Sequence, residues 1–291
     1  MADAGERLGA AAGILAGPLP NVARGLVEAG LTQVVGLSWG WDLQIGHRSA
    51  VPDEEFAWLT GLRHLIVDSE PTAQRARTLG LPAERITLIP WGVDLDTFQP
   101  DGATQTLGIS DGIRVILTLR AHEEQYRTHD VLVAFAEANM TDAVLVVGGE
   151  GSLSPQYRTW VEDRGLGDRI RFIGRIEEAE LAGILRRADA YVSASETDGS
   201  SVTLLQAMAT GTPIIVSDIP GNAPWLDEGR AGQAFPVGDV TELARAMARV
   251  VRRGSGPDDA SARQAIHALA LARARADWRR NSAAIGNLLL G

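Results

Sequence analysis

One segment of this chain sets an acid, a run of small residues and an amide at fixed spacing. It reads Asp198-Gly199-Ser200-Ser201-Val202, then Gln206, then Ala207-Met208-Ala209-Thr210-Gly211-Thr212-Pro213. The pattern is that of a strand end, a glycine loop, a short helix and a Gly-Thr-Pro turn into another strand. The first amides of such a helix, at the carboxyl end of a parallel sheet, make a site for an anion. Ser200 or Ser201 is expected to cap the helix, and Val202, Leu205 and Ala209 to form its packing face. Asp198 stands in the loop before the helix. Gln206, one to two turns in, can aim a polar end at the same crevice.

Composition bounds the cations and the compartment. All 27 basic residues are arginines, against 37 acidic residues, for a net charge of -10. Any cationic side chain that meets a phosphate is therefore an arginine, whose planar fork suits diphosphate oxygens. No arginine cluster forms the basic face that a nucleic-acid surface needs. With 0 cysteines there is neither disulfide nor thiolate site, which fits a cytoplasmic protein. His47, His122 and His129 show no metal-ligand spacing and are expected to be ordinary loop residues. No apolar run approaches the roughly 18 residues of a membrane span. The apolar run 8–19 follows Asp3 and Glu6 where a signal peptide carries positive charge, so that reading is rejected.

The elements that must position the segment alternate between β-rich runs and helical patterns, which predicts an α/β fold with parallel sheets. In the first third, strands are expected at 33–38, 64–69 and 86–90, with helices at 21–29 and 72–79. A linker composition follows through 91–112. A longer series has strands at 114–119, 143–148, 170–173, 190–195, 213–217 and 233–236. Its helices are expected at 130–138, 154–164, 177–187, 201–209 and 240–252. Residues 259–289 read as helical, with Trp278 on an otherwise Arg- and Ala-rich run. The expected domains are 1–95, a linker at 96–112, a doubly wound domain at 113–255 and a C-terminal helical segment at 256–291.

The 198–213 segment resembles the Glu-x7-Glu signature of the family-4 glycosyltransferases, with Asp198 and Gln206 at the two acid positions. The Ala-Met-Ala-Thr-Gly-Thr-Pro run and the Val-Ser-Asp-Ile-Pro-Gly-Asn tail ending at Asn222 continue the likeness. The resemblance implies the GT-B architecture, two Rossmann-like doubly wound domains, here with the N-terminal one incomplete. The family's opening strand and glycine-loop units have no counterpart before Met1, so the start of that domain is expected to be absent. Pro90-Trp91-Gly92-Val93-Asp94 resembles the family's interdomain hinge. In the family, the first acid contacts the donor sugar and the second accepts from the ribose hydroxyls. Replacing that second carboxylate by an amide weakens the bond by roughly 1 kcal/mol.

By the same resemblance Arg120, ending the 114–119 strand, and Arg127, in the place of a family lysine, hold the donor diphosphate. Gly149 and Glu150 match the family's Gly-acid-Gly turn near the nucleotide. Gly174 and Arg175 flank the base, with backbone groups that can read its edge. Gly199, Ser200, Ser201 and Val202 complete the donor loop. Some members place a histidine after the strand equivalent to 34–38; Trp39 stands there, which leaves Asp42 as the polar candidate for acceptor binding. Trp39 and Trp41 otherwise read as packing residues.

The implied function is transfer of a sugar from a nucleoside-diphosphate-sugar to an acceptor hydroxyl with retention, by a cytoplasmic protein, without metal or cofactor. The acceptor is a carbohydrate or a lipid-linked molecule, and a peripheral membrane association fits. An inactive nucleotide-sugar-binding or scaffold protein of the same fold is the alternative, and a phosphorylase or epimerase of GT-B type a second.

Overall fold

The computed structural model of the protein describes residues 12–43, 52–251 and 259–290. The chain forms two compact units. The first takes the chain up to Gly92, the four residues Thr197–Ser200, and the chain from Trp278 on. The second takes Val93–Glu196 and Ser201–Asp277.

The first unit holds a sheet of four parallel strands, β1 (Ile14–Ala16), β2 (Val34–Leu37), β3 (His64–Val67) and β4 (Ile86–Leu88), in the order β1-β2-β3-β4. Helices α1 (Arg24–Glu28) and α2 (Glu70–Thr78) belong to this unit. Ser69 caps α2 by accepting from the Thr72 amide, and Pro71 fits the first turn, where a missing N–H costs nothing. The central strands β2 and β3 are short apolar runs because both of their faces are covered. On one face Val34, Leu65 and Val67 pack with Leu19, Leu59 and Ala73. On the other, Val35, Ile66 and Ile89 meet Ile285, Leu288 and Leu289 near the C-terminus. The sequence predicts three strands here; β1 is the fourth. It lies in an apolar small-residue run with no alternation to mark it, and its pairing of Ile14–Ala16 with Val34–Gly36 is a long-range event.

The second unit is a six-stranded parallel sheet in the order β10-β9-β8-β5-β6-β7. Its strands are β5 (Arg114–Leu119), β6 (Ala143–Gly148), β7 (Ile170–Gly174), β8 (Ala190–Ser193), β9 (Ile214–Ser217) and β10 (Gln233–Phe235). Between them run α3 (Thr128–Ala138), α4 (Ser154–Asp163), α5 (Glu178–Arg187), α6 (Val202–Ala209), α7 (Ala223–Leu226), α8 (Val240–Val251) and α9 (Ala260–Arg275). Every residue of β6 is buried, as an apolar run flanked by strands and roofed by helices must be. Leu132 and Phe135 of α3 and Leu243 and Met247 of α8 build a core on the sheet face formed by Ile116, Leu145 and Val192.

The connection 96–112 is packed against the second unit's helices, and Phe98 and Ile109 are buried. The Arg186 guanidinium donates to the carbonyls of Ala103 at 2.9 Å and Gln99 at 3.2 Å. Gly183 permits the approach, since a Cβ there would lie 3.0 Å from the Gln105 side chain. The C-terminal stretch is two helices, with a break at Ala276–Asp277, where the Val93 amide takes the Ala276 carbonyl at 2.8 Å and Val93 bridges Asp277 in parallel. The last helix, α10 (Trp278–Leu290), belongs to the first unit. Gly92 lies against it so closely that a Cβ would come 2.4 Å from the Trp278 Cα. No helix among the described residues is long and apolar enough to cross a membrane.

Candidate active site

In the second unit the strand order reverses between β5 and β8: the chain builds outward through β6 and β7, then returns to the other side of β5. The crevice outside the carboxyl ends of two such strands is where open α/β sheets bind ligands. Arg120 follows β5 directly, and α6 follows β8. The Arg120 Nη1 donates to the Ser201 hydroxyl at 2.7 Å, and its guanidinium lies over the Tyr126 ring, 4.2 Å from the centroid. The cation is thus fixed beside the start of α6.

This partnership corrects two local expectations. Neither serine caps α6, which has no side-chain cap bond. The Ser201 hydroxyl serves Arg120 instead, and the Ser200 hydroxyl donates to the Asp68 carbonyl at 2.7 Å. Val202 is not in the packing face either, being 41% exposed; Leu204, Leu205, Ala207, Met208 and Ala209 are buried. Val202, Thr203 and half-buried Gln206 form the open side of the helix, so Gln206 stands one turn from Thr203 on the same face.

Thr203 lines a cleft of about 370 Å³ with Leu119, Arg120, Ala121, Gly149, Glu150, Arg175, Ile176 and Leu181. That volume lies in the range of small-ligand sites. The cleft depends on glycine. Gly149 has φ +102, and a Cβ on it would lie 2.3 Å from the Arg120 carbonyl oxygen. The Gly149 amide donates to the Gly174 carbonyl at 2.8 Å, where β7 slips register against β6. That bond joins the two turns that wall the cleft. At the mouth, the Arg175 Nε stands 3.5 Å from the Glu150 carboxylate, both side chains well exposed.

His122 is a structural residue that its sequence context marks only as a loop histidine. It is fully buried, and its Nδ1 meets the Ser154 hydroxyl at 2.7 Å, which also accepts the Gly151 amide at 2.9 Å. Its ring sits edge-on to Tyr157 and Phe172. Burial, then the nearby Arg158 charge, pushes the imidazole below its ordinary pKa. Glu123 adds bonds to the Ser152 amide at 2.8 Å and hydroxyl at 2.6 Å. The Arg120 loop and the Gly149–Gly151 turn are thereby one rigid piece. The signal in the sequence is the position of His122, two residues after Arg120.

Arg127 adopts a left-handed backbone, φ 48, at the head of α3. Its Nε donates to Asp130 at 2.7 Å and its Nη1 lies 3.7 Å from Glu196. The structure thus sets this arginine between two carboxylates, where it orders the residues that follow β8.

The first unit gathers the rest of the predicted residues. Asp42 is 2% exposed. It accepts from the Ser38 hydroxyl at 2.6 Å, the Leu19 amide at 3.2 Å and the Trp39 amide at 3.2 Å. Burial raises its pKa against those bonds. Its carboxylate builds the loop after β2 rather than facing outward for an acceptor. Trp39 on that loop is 41% exposed and meets Trp91 edge-to-face at 6.2 Å. No sequence pattern points to Asp68, at the carboxyl end of β3. It is 3% exposed and accepts from the Ser200 amide at 2.8 Å and the Thr72 hydroxyl at 3.0 Å. Gly199 must be glycine here, because any Cβ would overlap the Asp68 carboxylate. Asp198 is half-buried in this same Thr197–Ser200 segment. Among the described residues no three His, Asp or Glu side chains converge as a metal site requires.

Parallel sheets in each unit, a switch-point crevice and a guanidinium set beside a helix start define an α/β protein of GT-B type. The chain belongs to the glycosyl transferases group 1 family, whose model matches residues 103–267. It is 31% identical over 195 residues to a phosphatidyl-myo-inositol mannosyltransferase of Mycobacterium leprae, covering 65% of this chain and 49% of that protein. The chain thus matches about half of that relative's length. Its fold is similar to Anabaena HepE solved with UDP, at a TM-score of 0.84 and 17% identity, covering 99% of this chain and 81% of that one. The same protein solved with UDP-glucose gives a TM-score of 0.81 at 16% identity, with the same coverage. At those identities the likeness is one of fold.

Proposed function

We propose that this chain transfers a sugar from a nucleoside-diphosphate-sugar to an acceptor hydroxyl, retaining the anomeric configuration and using no bound metal. The observation that carries the reading is the Arg120–Ser201 bond of 2.7 Å at the switch point of the second sheet. It sets a permanent cation where a diphosphate can meet both a guanidinium fork and helix amides. A charge placed in advance where negative charge develops on the leaving group usually lowers the barrier more than any other device an enzyme has.

The other residues take roles around it. Glu150, Arg175 and the wall of the cleft hold the nucleoside, and Gln206 bonds a ribose hydroxyl. Asp198 orients the donor sugar, with Gly199 and Ser200 carrying it in a fixed loop. Arg127 acts through Asp130 and Glu196, by ordering the chain after β8. Asp42 acts through the loop it holds. UDP is the first base to test, since the solved HepE complexes carry UDP and UDP-glucose.

The experiment is a thermal-shift panel of UDP, GDP and ADP with their sugars, on the wild type and on Arg120→Ala. A nucleotide at 100 times its dissociation constant stabilises by about 2.7 kcal/mol, and Arg120→Ala is expected to remove most of that shift. Proton NMR of the product then reads retention from the anomeric configuration. The absence of a shift with every nucleotide would sink the donor-site reading, and inversion would sink the retaining mechanism.

A further inference from the structure

The donor residues leave one feature of the first unit without a task. Trp39 follows β2 and Trp91 follows β4, so both stand near the carboxyl edge of the first sheet, the edge at which parallel sheets take ligands. Trp39 is 41% exposed, whereas the core of this unit is closed without it. The two rings meet at 69° with centroids 6.2 Å apart, which makes a corner with one indole as floor and the other as wall.

The corner is built rather than incidental. Asp42 is a buried carboxylate whose bonds go to the Ser38 hydroxyl and to the amides of Leu19 and Trp39, so it fixes the backbone that carries the indole. Holding an exposed tryptophan by a buried charge has a desolvation cost, which burial's upward push on the Asp42 pKa reflects. Gly40, with φ +81, turns the chain just after Trp39, and a Cβ on it would lie 3.6 Å from the Gly199 Cα. The aromatic corner therefore adjoins the segment that carries Asp198.

We propose that Trp39 and Trp91 are the acceptor platform, which takes the apolar face of a sugar ring in a glycoside acceptor. The axial C–H bonds of a pyranose form a flat, weakly positive face that suits the negative face of an indole. Tryptophan is rigid and offers a large area with little rotamer entropy to lose. This assignment rests on the transferase reading, in which Asp198 orients the donor sugar; the Gly40–Gly199 approach places the acceptor ring next to that residue.

Saturation-transfer NMR tests it with methyl β-D-glucopyranoside, methyl α-D-mannopyranoside and octyl β-D-glucopyranoside, with UDP in every tube. The expected result is saturation at the ring C–H protons of at least one methyl glycoside. Trp39→Ala and Trp91→Ala should weaken that binding about tenfold or more, Trp39→Phe should retain most of it, and the UDP signals should stay as in the wild type. Thermal melting followed by far-UV circular dichroism, superimposed on the wild type, shows that each variant is folded. Ring signals unchanged in Trp39→Ala would overturn the proposal, as would UDP signals without any glycoside signal. Saturation entering octyl glucoside only through its alkyl chain would assign the corner to an apolar aglycone and overturn it too. Ring signals without UDP signals would instead remove the donor reading and leave the platform standing.

Discussion

Gly149→Ala tests whether the cleft of the second unit is the donor site, because one methyl group there acts on Arg120. Gly149 has φ +102, and the added Cβ would lie 2.3 Å from the Arg120 carbonyl oxygen and 3.0 Å from its carbon. An ordinary C···O contact is about 3.3 Å, so one backbone must yield by about 1 Å. The obstacle is backbone, not the end of a flexible side chain, and what moves is the residue that carries the guanidinium. The unfavourable φ costs about 1–3 kcal/mol and the overpacking about 1–3 kcal/mol. Together they should lower the melting temperature by about 5–15 °C. Displacing the charged bonds of Arg120 should weaken UDP binding by about 10- to 100-fold. Gly165→Ala is the matched control: its φ is +61, and an added Cβ meets nothing within 4 Å. It should lower the melting temperature slightly and leave UDP binding alone. Differential scanning fluorimetry and isothermal titration with UDP read both effects. If the two variants melt together and bind UDP like the wild type, the Gly149–Arg120 coupling is refuted.

Two further substitutions probe other links. Gln206→Glu replaces a neutral ribose contact by a charged one and should tighten UDP binding about fivefold; unchanged or weaker affinity by titration calorimetry would argue against the ribose assignment. Asp68→Asn probes a buried carboxyl whose pKa is raised above 3.8, chiefly by burial and against bonds from the Ser200 amide and Thr72. The folded chain takes up that proton at higher pH than the unfolded chain, so the contribution is present below the unfolded value and lost as pH rises through the folded one. The wild type should therefore gain stability relative to Asp68→Asn as pH falls from 7 toward 4.5. Urea midpoints at the two pH values measure it, and a constant or reversed difference would remove Asp68 from the account.

Much of the second unit is legible in the sequence because its strands are apolar runs and its turns carry glycine. The runs 114–119 and 143–148 predict strands and fold as Arg114–Leu119 and Ala143–Gly148. The same clarity fails at Ile14–Ala16, whose small apolar residues carry no period, and at Ala276–Asp277, where Arg- and Ala-rich sequence continues across a break made by pairing with Val93.

The parallel α/β class, the Asp198–Gln206 frame and the placing of Arg120 at a strand end are all readable in the amino-acid order. Local propensity and the chemistry of glycine loops suffice for these, since each is written within a few consecutive residues. What the polar groups do follows from the folded chain alone. It turned Ser201 from a helix cap into the partner of Arg120, enclosed His122 between two loops, and set Asp68 against the Ser200 amide. It also committed Asp42 to the loop beneath Trp39. A hydrogen bond between residues 81 or 132 positions apart leaves no local pattern; it exists only once each unit has gathered the loops that meet at the carboxyl ends of its strands.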